Sequence, residues 1–388
     1  MSDATDVIFC KRCVISNMRP VASQEYLRAP GSEPGRIGFD AEGVCAACRV
    51  AERKAATDWR AREATLREFL EPFRRFDGRP DVICPGSGGK DSVYAAHLLK
   101  HTFGMHPLCV TWAPHAYTAV GWRNYQTWLA GGFDGILVTP NPNVHRLLTR
   151  LAFLNLLHPF QPFVLGQRSL APRLAARFGV PLVMYGENDE EYEGRAGWQE
   201  KKETAPVETL RLGGVLYEQL LTDQKLDPAD LEVYLPPTEE EAACVTVRAL
   251  GAYVPWQPQA AYYFAAERGF EANEERTEGT YSKYNSIDDR LDPLHYFTAW
   301  IKFGLGRASY DAAQEIRNGH LTREEGVALV RRYDGELREA TVLWAAEYMG
   351  LAEADFWAAI DAARAARPAL WTRDNGAWRL RRAIWETS

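Results

Sequence analysis

Residues 82–94 read VICPGSGGKDSVY, and this stretch decides the fold of the central part of the chain. A short apolar run at 82–84 predicts a strand, a loop of small residues follows, and a helical pattern begins near Lys90. Glycines let backbone N–H groups converge on an anion, while the N-terminus of a helix adds partial positive charge. The residues predicted to hold nucleotide phosphates are Ser87, Gly88, Gly89, Lys90, Asp91 and Ser92.

Outward from this loop, short apolar runs alternate with helical patterns, as in βαβ units of a parallel sheet. Strands are predicted at 82–84, 108–112, 136–138, 180–185 and 245–253. The predicted fold class is therefore α/β, a doubly wound parallel sheet.

The composition changes along the chain and predicts four regions. Residues 1–50 contain two cysteine pairs, and residues 51–80 form a linking segment with one amphipathic helical pattern over 51–76. Residues 81–256 form the α/β domain, with a charged, proline-rich surface excursion at 189–243. Residues 257–388 are mainly helical, and a capping box from Thr322 to Glu325 marks one helix start.

The overall composition excludes some classes of protein. Of the 388 residues 46% are hydrophobic and 25% are charged, which is typical of a folded globular chain. The net charge of −7 makes nucleic acid an unlikely partner. Without a signal-like N-terminus or a long apolar window, we expect a cytoplasmic protein that does not enter a membrane.

Four of the seven cysteines form two CxxC pairs. Four thiolates suit tetrahedral Zn²⁺, and a closed site of this kind stabilises a fold without taking part in chemistry. Redox pairs or simply packed cysteines are the alternative. The predicted zinc ligands are Cys10, Cys13, Cys45 and Cys48. Cys84, Cys109 and Cys244 stand alone among apolar residues and are interpreted as packed thiols.

Polar residues at strand ends extend the predicted site. Open parallel sheets bind ligands at the carboxyl edge, where Trp112 could hold adenine, although a core role is nearly as reasonable. Gly186 and Asn188 are predicted to contact the ligand. Glu187 is predicted to bind Mg²⁺ or to orient the acceptor, and an ordinary turn is the alternative.

A second polar cluster lies far along the chain. Lys283 is followed by Asp288 and Asp289, and this cluster is predicted either to return and cover the phosphates or to form a solvated turn. The predicted catalytic residues are Lys90, Asp91, Glu187 and Lys283.

The string Ser-Gly-Gly-x-Asp-Ser does not have Walker A spacing. It resembles the PP-loop of the N-type ATP pyrophosphatases. That resemblance implies that the loop holds the β- and γ-phosphates of ATP while a nucleophile attacks the α-phosphate, which yields an adenylate and pyrophosphate.

The resemblance extends over most of the chain to the N-acetyl sugar amidotransferases. The stretches that carry it are CKRCVISN at 10–17, GVCAAC at 43–48, PGSGGKDS at 85–92, HRLLTR at 145–150, HPFQPF at 158–163, YGEN at 185–188, GTYSKY at 279–284, DPLHY at 292–296, FGLGR at 303–307 and YDGE at 333–336.

This family resemblance implies conversion of an acetamido group into an acetamidino group during bacterial surface-glycan synthesis, in lipopolysaccharide or nonulosonic acid pathways. ATP and Mg²⁺ are the implied cofactors, and the substrate is an N-acetyl amino sugar, free or nucleotide-linked. Residue 2 is serine, and no lone cysteine lies in a nucleophile elbow, so a separate glutaminase subunit is expected to supply ammonia. ATP-dependent sulfur transfer to tRNA or a small molecule is the alternative, because it uses the same adenylation step and also occurs with four-cysteine knuckles.

Overall fold

The computed structural model describes residues 6–187 and 209–387. Its centre is a five-stranded sheet in which all neighbours are parallel, in the order β3-β2-β1-β4-β7. The strands of the described residues are β1 Val82–Pro85, β2 Pro107–Trp112, β3 Asp134–Val138, β4 Leu182–Tyr185, β5 Arg211–Leu212, β6 Val215–Leu216, β7 Thr246–Ala249, β8 Trp371–Asp374 and β9 Ala377–Leu380. The predicted parallel α/β sheet is confirmed.

The helices alternate with the strands in the first half of the chain and dominate the second half. Those of the described residues are α1 Ala22–Leu27, α2 Ala46–Ala55, α3 Trp59–Leu70, α4 Lys90–His97, α5 Ala119–Ala130, α6 Pro142–Leu156, α7 Gln161–Phe178, α8 Tyr217–Thr222, α9 Pro228–Leu231, α10 Glu239–Ala243, α11 Pro258–Ala266, α12 Asp292–Phe303, α13 Arg307–Arg317, α14 Arg323–Tyr333, α15 Glu339–Met349 and α16 Glu353–Ala365. None of these helices is long and apolar enough to cross a membrane.

Apolar side chains cover both faces of the sheet, as expected for a doubly wound fold. Successive strand residues point to opposite faces. Val82 and Cys84 accordingly join a core with α3, α4, α5 and α11, whereas Ile83 joins a core with α6 and α7. The loop after β1 therefore leaves a rigid, fully covered strand.

The described part of the predicted surface excursion has many exposed residues but also covers the sheet. Residues 209–243 contribute buried side chains to the core beneath α6 and α7, namely Leu210, Leu212, Leu220, Leu231 and Tyr234. The described segment is therefore part of the core as well as of the surface. Its apolar residues lie between charged ones, so composition alone concealed a segment that covers the sheet. The rest of the excursion, 189–208, lies outside the described residues.

Two predicted element bounds differ from the structure. The single helix predicted at 51–76 is two helices, because the Asp58 carboxylate accepts hydrogen bonds from the backbone N–H groups of Arg60 and Ala61 and starts α3 afresh. The strand predicted at 245–253 ends at Ala249, where a 3₁₀ turn over Leu250–Ala252 follows.

The helical C-terminal region packs against the N-terminal cysteine segment. Val14 and Ile15 share a buried core with Ala312 of α13 and Val330 of α14. The Thr322 hydroxyl accepts a hydrogen bond from Glu325 N–H at 3.2 Å, which confirms the predicted capping box. The N-terminal segment is thus fixed to the far end of the chain.

Candidate functional site

The loop between β1 and α4 is preformed by contacts of its own residues. The Ser92 hydroxyl accepts a hydrogen bond from Gly88 N–H at 3.1 Å and donates one to Gly89 O at 2.9 Å. Gly88 has φ +84°, and a Cβ there would lie 2.6 Å from the Cα of Tyr125. Only glycine fits this position without displacing α5. The loop can therefore receive an anion with little rearrangement.

Charged side chains stand at the start of α4. Lys90 is 7% exposed, and its ammonium forms an ion pair with the Asp91 carboxylate. The other carboxylate oxygen of Asp91, Oδ1, is buried without a hydrogen-bond partner. A positive charge for phosphate and a free carboxylate oxygen for a divalent cation thus lie side by side.

Two cavities meet at this loop, with volumes of about 400 Å³ and 560 Å³. Both are lined by Ser87, Gly89, Asp91, Gln167 and Glu187. A ligand in one cavity can therefore contact a ligand in the other at the loop.

The first cavity extends along the carboxyl edge of the sheet. Its walls beyond the loop come from α7, from β7 and from the segment before β7. They combine apolar side chains, among them Pro236 and Val245, with the arginines Arg168 and Arg248. Gly186 and Glu187, which follow β4, line it as predicted. This is the shape and polarity of a pocket for a planar, uncharged ring.

The second cavity is closed by the C-terminal region. The segment 284–289, together with α12 and α13, provides Asp288, Asp292, Tyr296 and Arg307 to its wall. The Asp288 carboxylate is hydrogen-bonded to Ser87. The backbone of Asp288 also packs directly on Gly121, where a Cβ would lie 2.4 Å from the Cα of Asp288. The structure thus places the predicted 288–289 pair over the phosphate loop.

Burial shapes the charges of this second cavity. Burial raises the pKa of Asp288. The pKa of Asp292 is raised well above its ordinary value by burial and by the negative charges of Asp288 and Asp289. The Asp289 carboxylate accepts a 2.7 Å hydrogen bond from the His115 ring. Burial, aided by His158, lowers the pKa of His295. The wall therefore presents poorly hydrated carboxyl groups and the neutral imidazole of His295.

The structure brings most of the predicted loop and strand-end residues to the cavities but not all of them. Trp112 is 3% exposed, and its ring packs so closely on Gly166 that a Cβ there would lie 2.2 Å away. It is a core residue and lines neither of the two cavities. The predicted adenine contact through its side chain is therefore not observed, because the ring points into the core beneath α7.

Lys283, like Trp112, lines neither of the two cavities. It is exposed, and its ammonium donates a 2.7 Å hydrogen bond to Glu274 O, while the next residues, Tyr284 and Asn285, turn into the second cavity. The predicted catalytic position of Lys283 is thus not borne out by its placement. Asn188 lies outside the described residues.

Sequence reasoning missed an arginine group in the second cavity. Arg19 comes from the N-terminal segment, whereas Arg307 and Arg317 come from the two ends of α13. Arg307 ends the FGLGR stretch, which was the one available signal. No signal in the sequence pointed to Arg19 and Arg317, because they come close only when the N-terminal segment packs against the C-terminal region.

The four predicted zinc ligands converge in the structure. Their sulfur atoms all lie within 4.8 Å of one another, with 3.9 Å between Cys10 and Cys48 and 3.7 Å between Cys13 and Cys45. Zinc–sulfur bonds of about 2.3 Å in a tetrahedron imply sulfur separations of about 3.8 Å. The sulfur positions therefore fit one tetrahedral ion. All four residues are buried, which suits a structural metal.

The remaining cysteines differ in exposure. Cys84 and Cys109 are buried in β1 and β2, as predicted for packed thiols. Cys244 is exposed, so the prediction of a packed thiol is wrong there. It follows the short helix α10, whose last turn leaves the side chain facing outward.

Comparison with known proteins agrees with this picture. The SGGxDS loop lies between β1 and α4 of a parallel sheet, which agrees with the predicted resemblance to PP-loop proteins. Residues 278–384 match the family described as LPS biosynthesis protein WbpG-like, C-terminal domain. This match supports the predicted family resemblance for the C-terminal region, which is similar to a WbpG-like domain.

Two further likenesses are more limited. The uncharacterized protein MJ1599 of Methanocaldococcus jannaschii is 32% identical over 74 residues, which is 19% of this chain and 26% of that protein. This chain thus matches about a quarter of that relative's length. The U34-tRNA thiolase NcsA of Methanococcus maripaludis, solved with its [4Fe-4S] cluster, has 13% identity and a TM-score of 0.28 over 75% of this chain and 86% of that one.

Proposed function

We propose that the protein is an ATP-dependent, AMP-forming amidotransferase of surface-glycan biosynthesis. It adenylates the acetamido oxygen of an N-acetyl amino sugar and replaces that oxygen with nitrogen from ammonia, which gives an acetamidino group. The observation that carries the proposal is the junction of two cavities at the phosphate loop. The WbpG-like C-terminal domain, which forms much of the second cavity, supports it.

The first cavity suits ATP. An adenine ring fits its apolar walls, and the loop N–H groups and Lys90 suit the β- and γ-phosphates. The α-phosphate then lies at the junction, beside Asp91 and Glu187. These two carboxylates are suited to Mg²⁺, which would neutralise charge on the phosphates.

The second cavity suits the sugar. Its acetamido oxygen attacks the α-phosphorus, the bond to the β-phosphate oxygen breaks, and pyrophosphate leaves. Ammonia then attacks the imidate carbon, loses a proton, and AMP leaves with the former amide oxygen. Asp288, Asp289 and Asp292 in the cavity wall supply proton acceptors for that step.

Ammonia comes from a separate glutaminase in this proposal. Cys84 and Cys109 are buried within strands and are not placed to attack glutamine. A structural Zn²⁺ on Cys10, Cys13, Cys45 and Cys48 would fix the N-terminal segment that lines the second cavity.

The proposal is tested by incubating the protein with ATP, Mg²⁺, ammonium and a panel of N-acetyl amino sugars, followed by mass spectrometry. Exchange of oxygen for NH lowers the mass of the sugar by about one unit. The sugar should change only together with AMP release, and the Asp91→Ala variant is the negative control. AMP release without a new sugar product would contradict the proposal, and a product that gains sulfur when sulfide replaces ammonium would favour the thiolation alternative.

A further inference from the structure

The second cavity contains two arginines that have no acidic partner among the described residues. Arg19 is 4% exposed, and its guanidinium lies 5.4 Å from the centre of the Tyr310 ring. The Nη1 atom of Arg317 is buried without a hydrogen-bond partner. By contrast, Arg307 in the same cavity forms an ion pair with Asp311 at 3.1 Å.

The positive charges of Arg19 and Arg317 repel each other within this cavity. Burial lowers the pKa of Arg19, and the charge of Arg317 lowers it further, whereas the nearby thiols of Cys13 and Cys45 and the Tyr310 hydroxyl act in the opposite direction. A buried guanidinium whose partners are an aromatic ring and cysteine sulfurs, without an anionic oxygen, recovers only part of its lost hydration. Such a pair is stabilised when an anion binds between the two groups.

The anion belongs to the acceptor side of the site. Arg19 and Arg317 line the second cavity, not the first, so they lie apart from the pocket assigned to adenine. The phosphates of ATP already have the loop, Lys90 and the start of α4. The two arginines come from opposite ends of the chain, so only the folded molecule forms this pair.

We infer that Arg19 and Arg317 bind an anionic substituent of the acceptor sugar, a carboxylate or a phosphate. The inference rests on the proposed function and adds the charge of its substrate. A neutral N-acetyl sugar would leave both guanidinium groups without an anionic partner, so the pair selects against it. Arg19 and Arg317 are therefore specificity-determining residues.

Binding without turnover tests this inference. Titration calorimetry would compare N-acetylglucosamine, N-acetylglucosamine 1-phosphate, UDP-N-acetylglucosamine and N-acetylglucosaminuronic acid, without ATP or ammonium. At least one anionic sugar should bind about tenfold or more tightly than the neutral one, in line with a charge-assisted hydrogen bond. The carboxylate and phosphate members distinguish the two sources of the anion.

Variants assign the effect to the arginines. Arg317→Gln should lower the affinity for the preferred anionic sugar about tenfold and leave the affinity for the neutral sugar unchanged. Arg317→Lys should restore part of the affinity for the anionic sugar. Arg19→Gln should act in the same direction, with a thermal melt to show that it is folded. Arg331→Gln, an exposed arginine on α14, is the matched control and should have no effect.

The outcomes separate this inference from the proposed function. Equal affinity for neutral and anionic sugars, no measurable binding of any anionic sugar, or unchanged binding in folded Arg19→Gln and Arg317→Gln would each overturn it. If the anionic sugars bind through these arginines but no sugar loses oxygen in the ATP assay, the anion site stands and the amidotransferase proposal fails.

Discussion

At the scale of single residues, the phosphate loop combines backbone geometry with few side chains. Gly88 has a positive φ and passes close to α5, and the Ser92 hydroxyl fixes the turn. Ser87 and Asp91 face the junction of the two cavities. Gly88 and Ser92 therefore fix the conformation of the loop, whereas Ser87 and Asp91 are placed to contact the reacting groups.

Ser87→Ala and Asp91→Ala should each lower the rate of pyrophosphate release about 100-fold or more, because donors and charges at the phosphates act mainly in the transition state. Lys283→Ala is the control for a charged residue of the same region that lies outside both cavities. It should leave the rate unchanged within about twofold. A large loss in Lys283→Ala, or near-normal rates in both loop variants, would contradict this assignment.

His158 provides a pH-dependent prediction. Burial lowers the pKa of His158 to about 4 from an ordinary value of 6.5, although the negative charge of Glu25 opposes the shift. The unfolded chain therefore binds the extra proton first, and stability is lost as the pH falls from 6.5 towards 4. Between pH 7 and 5 this amounts to about 2 kcal/mol in the free energy of unfolding.

Denaturant unfolding at pH 7, 6 and 5 measures that loss. In His158→Gln the decrease from pH 7 to 5 should be smaller than in the parent protein by about 2 kcal/mol. His106→Gln, which changes an exposed histidine, should retain the full decrease. The same decrease in His158→Gln and the parent protein would show that His158 is already protonated in the folded state or contributes nothing.

At the scale of elements, the strands and the Thr322 capping box could be predicted from the sequence, whereas the packing of distant elements against each other could not. The apolar runs that became β1 to β4 and the Thr322 capping box depend on local patterns. The break at Asp58 was not predicted, because the helical periodicity continues on both sides of it. The packing of Val14 on Val330 depends on tertiary contacts, which no local pattern records.

The cysteine segment and the C-terminal helices form one cooperative unit in this account. Cys45→Ser should abolish binding of one zinc per chain and lower the melting temperature by roughly 5 °C or more, because the segment shares its core with α13 and α14. Elemental analysis and thermal melts measure both effects. The exposed Cys244→Ser is the control and should keep its zinc. Stoichiometric iron in place of zinc, or a stable Cys45→Ser protein without metal, would contradict a structural zinc site.

At the scale of the whole molecule, the site joins parts of the chain that are far apart in sequence. The phosphate loop, the 284–289 segment, α12 and α13 all line one cavity together with Arg19. The loop and the strand ends were predictable because the β1–loop–α4 pattern is local. Lys283 was misplaced because its neighbours Tyr284 and Asn285 turn inward instead, and nothing in the sequence gives the orientation of that loop.

The nitrogen source is a prediction about the molecule as a whole. Ammonium should support activity, and glutamine alone should not until a glutaminase is added, because neither buried cysteine is placed to attack glutamine. In ammonium buffers the rate should rise between about pH 7 and 9, since only unprotonated ammonia has a free lone pair. Efficient use of glutamine by the isolated chain would overturn this division, and Cys244→Ser would then show whether the exposed thiol is the nucleophile.

The most direct measurement follows the acetamido oxygen itself. The acceptor is an N-acetyl amino sugar with ¹⁸O in the acetamido group, incubated with ATP, Mg²⁺ and ¹⁵N-ammonium, and both products are analysed by mass spectrometry. Attack of the amide oxygen on the α-phosphorus predicts that ¹⁸O leaves the sugar, appears in AMP, and is replaced by ¹⁵N in the sugar. Unlabelled AMP together with a sugar that keeps its ¹⁸O would contradict amide adenylation at the junction of the two cavities.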